Sequence, residues 1–387
     1  LARTGGQVKT AHCLGAGENE SAAQYARGAL QLGILFAVLY GLVSIFGASR
    51  LIGFFKLNSP EVIAQAEWYV RIACGLVIFS YLNAILTGLL TAAGNSRTPF
   101  IVNVAGLVFN VVLDPVLIFG IGPFPELGVS GAAAATVTAQ ALVSLLFFKA
   151  VLREKVLFPH LRLWVLVPVK VWREIVRIGV PSAVQNLIYA GISMILTRLI
   201  TGWGDLAVAA QRVGSQIESV SWMVGDGFSA AVNAFLGQNY GAKRYDRVRR
   251  GYFCAIAMTA AWGLCTTFLL IGMARPLFSI FLQEEEVMAI GVNYLRIVGL
   301  SQMFMMVEQT SIGAFSGLGR TLYPSIISVT FTSARIPVAV LLSSVMGLSG
   351  IWWALSISSM VKGCILFVSF VVFLYVFLER KKDEKTV

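Results

Sequence analysis

Asn110 and Asp114 stand four residues apart in Asn110-Val-Val-Leu-Asp114-Pro115. At helical spacing the amide and the carboxylate share one face, and Pro115 has no N–H to offer the carbonyl one turn back. An amide, an acid and loosened carbonyl oxygens therefore converge on one spot. Such a group can hold a cation or take up a proton, and either event removes the charge and can bias a helix bend. It lies inside the apolar run 98–121, where a carboxylate has no water to solvate it.

A second polar group falls in the run 206–236, which carries Gln211, Arg212, Gln216, Glu218 and Asp226. Residues 211 and 218 share a helical face, as do 212 and 216, so this helix is expected to line water or meet another polar helix. Two readings stand side by side: a cavity wall, or an internal salt-bridge network with Arg335 or Glu308. Met303, Met305 and Met306 precede Glu308 and offer either an adaptable apolar surface or ordinary core packing. Lys362 is expected to snorkel along its neighbours, and Glu67 with Arg71 to form a structural i,i+4 pair.

Other chemistries have little to draw on. The two histidines, His12 and His160, are far apart, and the five cysteines show no metal-ligand spacing and read as small core hydrophobes. An enzyme would need paired acids, or a nucleophile with its base, and Asp114 has no such partner in the sequence. A passive channel fits poorly with one buried acid in a two-fold repeat.

The elements that must position these groups are membrane spans. Of 387 residues, 57% are hydrophobic and 13% charged, with a mean hydropathy of +0.79. That is the profile of an all-α integral membrane protein, in which a spanning helix needs about 20 apolar residues. Ten spans are predicted, at 28–48, 62–92, 98–121, 129–150, 178–201, 206–236, 252–273, 287–318, 321–346 and 350–378. The net charge of +11 does not point to nucleic acid, because the basic residues cluster in alternate breaks between spans. Arg97, the group from Arg153 and Lys155 through Arg162 to Arg177, Lys243 to Arg250, Arg320, and Arg380 to Lys382 mark the cytoplasmic side. Arg50 and Lys56 lie in an opposite break. The tail 379–387 is then expected to be cytoplasmic and disordered.

The chain also repeats itself. At a constant offset of 225, Arg50 recurs as Arg275, Tyr69-x-Arg71 as Tyr294-x-Arg296, Gly88 as Gly313, Gly94 as Gly319 and Pro99 as Pro324. Gly128-Val-Ser-Gly131 recurs as Gly347-Leu-Ser-Gly350. Equivalent breaks fall on the same side by charge, so the halves are expected to have parallel topology about an axis normal to the membrane. Arg335 and Ala339 stand at the repeat positions of Asn110 and Asp114, so the acid belongs to one half only. The predicted organisation is a first lobe over 1–150, a cytoplasmic linker over 151–177 whose piece 170–177 either lies along the inner membrane surface or is a solvated connection, and a second lobe over 178–378. The second lobe's segment from about 171 to 222, roughly two helices, has no counterpart in the first half, so a pair of helices upstream of Leu1, and with it two bundles of six, is expected in the whole.

At Gly237-Gln-Asn-Tyr-Gly-Ala-Lys-Arg-Tyr-Asp246, with Ala92-Ala-Gly-Asn-Ser-Arg-Thr-Pro99, Asn110 to Pro115 and Gly128-Val-Ser-Gly-Ala-Ala-Ala-Ala-Thr136, the chain resembles the multidrug and toxic compound extrusion (MATE) transporters over essentially its whole length. The resemblance implies two six-helix lobes in a V. It implies an antiporter that admits Na+ or H+ and expels organic, often cationic compounds by alternating access. The family's cation site carries over onto Asn110, Asp114 and Thr136, with a sodium ion or a proton at Asp114; its first-helix aspartate would lie upstream of Leu1. Many members carry an acid on the seventh helix, whereas Gly179 to Tyr189 has none, leaving Gln185, Asn186 and Tyr189 as neutral cavity candidates beside Gln211, Arg212, Gln216, Glu218, Met305, Glu308 and Arg335. The expected partners are small organic substrates and the lipid bilayer, with no nucleic acid, no catalytic role and no cofactor beyond the coupling ion. A monomer in the plasma membrane with a cytoplasmic C-terminus completes the expectation. The alternative is a flippase for lipid-linked precursors, which would need an arginine-dense cavity; Arg212 and Arg335 are the hint of one.

Overall fold

The computed structural model describes residues 1–53, 59–154, 157–158 and 163–386, with side chains described as far as residue 376. Lys56, Lys155, Arg162 and the side chains of Arg380 to Lys382, used above for orientation, lie outside the described residues. Secondary structure among the described residues is helical throughout, as burial in lipid requires of a chain that must satisfy every backbone polar group internally. The chain divides after Arg177 into two compact units.

The first unit holds α1 (Ala2–Ala16), α2 (Asn19–Gly53), α3 (Pro60–Tyr69), a π-helical turn (Val70–Cys74), α4 (Ile78–Ala92), α5 (Arg97–Phe119) and α6 (Gly128–Val151). Here α1 packs on α2 and α4, and α5 packs on α6. Its core gathers Leu30, Leu89, Leu90 and Phe147. Leu157, Phe158, Val167, Val171 and Ile175 belong to the same core, while Leu152, Trp164, Leu166 and Val169 are exposed, so the described part of the segment after α6 is buried at some positions and open at others. Residues 170–177 lie within one continuous helix. They are the opening turns of α7 (Val169–Thr201), drawn inward because Gly5 has no Cβ to keep the Ile175 carbonyl away. The Gln31 side chain fixes the same segment: its Nε2 donates to Leu163 O at 2.9 Å and Val165 O at 2.8 Å, and its Oε1 accepts from Val167 N at 3.3 Å. Glu174 completes the attachment, meeting Lys9 Nζ at 2.5 Å and accepting from the Tyr25 hydroxyl at 2.6 Å.

The second unit runs from Ile178 through the rest of α7 into α8 (Asp205–Gly241), α9 (Tyr245–Gly272), α10 (Ala274–Ser279), α11 (Glu285–Gly299), α12 (Gln302–Gly317), α13 (Leu322–Ser333), α14 (Arg335–Met346) and α15 (Leu348–Thr386). Here α8 packs on α9 and α12, and α14 on α15, the neighbour relations of α1 and of α5 with α6 in the first unit. The helix of α15 runs on to Thr386, where a disordered tail was expected.

Packing detail carries the repeat down to single atoms. Gly94 and Gly319 both adopt left-handed φ, +82° and +73°, and end α4 and α12. The amide of Asn95 returns to Leu90 O and that of Arg320 to Phe315 O, bonds that coincide when shifted by the repeat offset. A Cβ on Gly131 would overlap the Leu117 carbonyl, and one on Gly350 would overlap that of Leu342. The helices α5 and α6, like α14 and α15, therefore cross backbone to backbone through a small residue, as membrane helices do. The π-helical turn and the turn at Gly75–Val77 fall where the second unit breaks at Leu300–Ser301 between α11 and α12, bent by 49°.

Eight helices among the described residues are long and apolar enough to cross a membrane, or nine if the bent pair α11 and α12 is one span. Ten were expected, and the difference is α8. It has 37 residues, but its internal polar side chains take it out of the apolar class. Pro115 interrupts nothing: α5 continues through it as one helix to Phe119. Cys254, Cys265 and Cys364 are exposed, not core residues, because they sit on outward helix faces.

Candidate functional site

In the first unit, α5 presents Asn110 one turn before Asp114, and the Asn110 Nδ2 donates to Asp114 Oδ1 at 3.2 Å. Both residues are half-buried. Asn110 lines a cavity of about 450 Å³ that Thr136 of α6 also lines, so the structure brings the amide and the threonine to one space, with the carboxylate a turn further along. The walls are polar. Asn83 Nδ2 donates to Gln140 O at 2.9 Å and its Oδ1 accepts from Ser144 at 2.8 Å, while Asn103 bonds the Pro99 carbonyl at 2.8 Å. Ser80 meets the Gln140 side chain, and Arg3 supplies the one basic group of the lining. Amide and hydroxyl oxygens next to a carboxylate can replace part of a small cation's hydration shell.

In the second unit a cavity of about 280 Å³ lies between α7, α8, α11, α13, α14 and α15. Of the residues foreseen, Tyr189, Gln211, Glu218 and Arg335 line it. Others do not. Arg212 and Gln216 are exposed and lie beside the stripe 211, 215, 218, 219 and 222 of α8 that lines the cavity. Asn186 is exposed, and Gln185 sits one turn before Tyr189, where the lining of α7 begins. Met305 is 3% exposed and packed into the core.

Glu308 pairs with Lys362, whose Nζ lies 2.8 Å from its Oε1. That corrects two expectations: Lys362 does not snorkel, and the partner of Glu308 is a lysine of α15, not a residue of α8. The lysine is buried too deep, at the centre of a long helix, to reach an interface.

Glu218 collects three neutral donors. Trp222 Nε1 and Gln302 Nε2 each lie 3.1 Å from Oε1, and the Tyr294 hydroxyl 3.0 Å from Oε2. Arg335 donates from Nε to Ser358 Oγ at 3.0 Å and from Nη2 to Ser359 Oγ at 2.9 Å. Trp352 Nε1 donates to Gln211 at 2.9 Å. The sequence reading missed Trp222, Tyr294 and Gln302. Trp222 was within reach, one turn from Glu218 on the same face, and Tyr294 stood in the repeat beside Arg296.

Long apolar helices in two repeated units, each enclosing a polar cavity, are the architecture of a multi-pass membrane transporter. The MatE family model matches residues 2–116 and 181–341. A probable multidrug resistance protein NorM of Thermotoga maritima is 30% identical over 366 residues, covering 91% of this chain and 76% of that protein. An FAD transporter of Shewanella oneidensis is 27% identical over 360 residues, covering 90% and 77%. An outward-facing multidrug resistance MATE transporter of the MOP superfamily superposes with a TM-score of 0.90 at 20% identity, over 98% of this chain and 84% of that one. The chain belongs to the MATE family of membrane transporters.

Proposed function

We propose that this transporter exports small organic compounds, many of them cationic, in exchange for Na+ or H+, with Asn110, Asp114 and Thr136 holding the coupling ion. The observation that carries the reading is the Asn110–Asp114 hydrogen bond at the edge of the first unit's cavity, which Thr136 shares. A carboxylate there gains by binding a cation or a proton, because lipid offers it no solvation. Charge neutralisation then shifts the balance between two arrangements of the helices by as much as the ion's affinity differs between them. The exporter half of the reading is supported by the multidrug resistance proteins among the relatives. We place the chain in the plasma membrane as a monomer, with the C-terminus inside as the basic breaks indicate.

The flippase alternative asks for several arginines facing one cavity; among the described residues Arg3 is the arginine lining the first unit's cavity and Arg335 that of the second unit's. The test is reconstitution in liposomes with a fluorescent organic cation. Efflux driven by an imposed Na+ gradient alone, or by a pH gradient alone, is the expected result. Equal efflux with and without either gradient would overturn the coupling.

A further inference from the structure

We infer that the second unit's cavity is a binding site for small zwitterions, with Glu218 receiving the ligand's ammonium group and Arg335 its carboxylate or other anionic group. Glu218 and Arg335 line the same space of about 280 Å³. Opposite charges in a medium of low polarity attract strongly, and the usual outcome is a contact pair such as Lys362 with Glu308. Glu218 and Arg335 form no such pair, and among the described residues neither has any ion-pair partner. Each is held in place by neutral groups instead: an indole, a phenol and an amide for the acid, two serine hydroxyls for the base.

Both retain capacity for a ligand. A carboxylate has about four acceptor positions, of which three are taken, and a guanidinium has five N–H donors, of which the serines take two. Arg335 is 5% exposed and lines the cavity, so its charge has little access to bulk water. The rest of the lining mixes apolar and aromatic side chains, among them Leu196, Val298 and Leu355, with Tyr189 and Trp222 at a centroid separation of 5.9 Å, and neutral hydroxyl groups such as Ser215 and Thr332. Separated fixed charges are costly inside a membrane protein, and a ligand carrying the complementary pair recovers that cost at both ends. A pure cation would meet Arg335, and a pure anion would meet Glu218. The volume, near the lower end of the roughly 300–1,000 Å³ usual for small-molecule pockets, keeps the ligand small.

The inference rests on the exporter reading but not on its ion coupling, and it is tested without any gradient. Three probes share one ring and differ in charge: phenylalanine, its amide and its N-acetyl derivative. Titration calorimetry on the purified chain should give phenylalanine an affinity about tenfold or more above both others, the effect of one charge-assisted hydrogen bond. Glu218→Gln should remove the advantage over the N-acetyl compound, and Arg335→Gln the advantage over the amide. Equal affinities, a tighter amide, a tighter N-acetyl compound, or no binding of any probe up to about 10 mM overturns the proposal. The wild-type comparison needs no variant to fold. A zwitterion preference without gradient-driven transport leaves this site standing and removes the coupling; the reverse result removes only this site.

Discussion

Lys362 Nζ lies 2.8 Å from Glu308 Oε1, joining α15 to α12 inside the second unit, and their side chains are only 5% and 8% exposed. Breaking one member leaves an uncompensated charge where no water can reach it. Glu308→Gln is expected to destabilise the chain by about 3–5 kcal/mol, and the double replacement Glu308→Gln with Lys362→Met by much less, because removing both charges also removes the desolvation cost. Thermal unfolding of the detergent-solubilised protein measures both. A double variant as unstable as the single one would show that the pair is not what holds these helices.

Gly131 and Gly350 sit at the same crossing in the two halves. Alanine at either puts a Cβ onto a backbone carbonyl that cannot retreat, so Gly131→Ala and Gly350→Ala should each lower folded yield. Gly191 of α7 has nothing within 4 Å, and Gly191→Ala should be neutral or stabilising by up to about 1 kcal/mol, the helix-propensity gain. Size-exclusion profiles of the three variants decide it.

Gln31 makes three hydrogen bonds to the backbone of residues 163–167. Gln31→Leu leaves those groups unpaired at a cost of about 1–3 kcal/mol. The segment between α6 and α7 should then open locally, and trypsin should cleave between Arg153 and Lys170 several-fold faster than in the wild type. Unchanged cleavage would mean that the buried Leu157, Phe158 and Val167 hold the segment without Gln31.

Much of this architecture was legible because lipid leaves few choices. Apolar runs of spanning length must be helices, and glycines recurring at a fixed offset had to mark equivalent turns and crossings, as Gly94 with Gly319 and Gly131 with Gly350 do. Interhelical partners were not legible. The sequence places Glu308 near Met305 and says nothing of Lys362, 54 residues away. Nor could it tell that Gln211 lines the cavity and Arg212 does not, since both are polar and adjacent on α8. Nor did the basic residues of 151–177 reveal that Leu157, Phe158, Val167, Val171 and Ile175 join the first unit's core while Trp164 and Leu166 stay exposed. Asn110 and Asp114 were legible as a pair because both sit on one helix turn.

That pair carries the central claim, that a carboxylate on α5 links an ion gradient to export. The direct measurement is efflux of a fluorescent organic cation from liposomes containing Asp114→Asn, under the Na+ or pH gradient that drives the wild type. Loss of the gradient-driven component, by about tenfold or more as expected when a charge that must be neutralised is removed, with equilibrium substrate binding retained, is the predicted result. Gradient-driven efflux equal to that of the wild type would contradict the account.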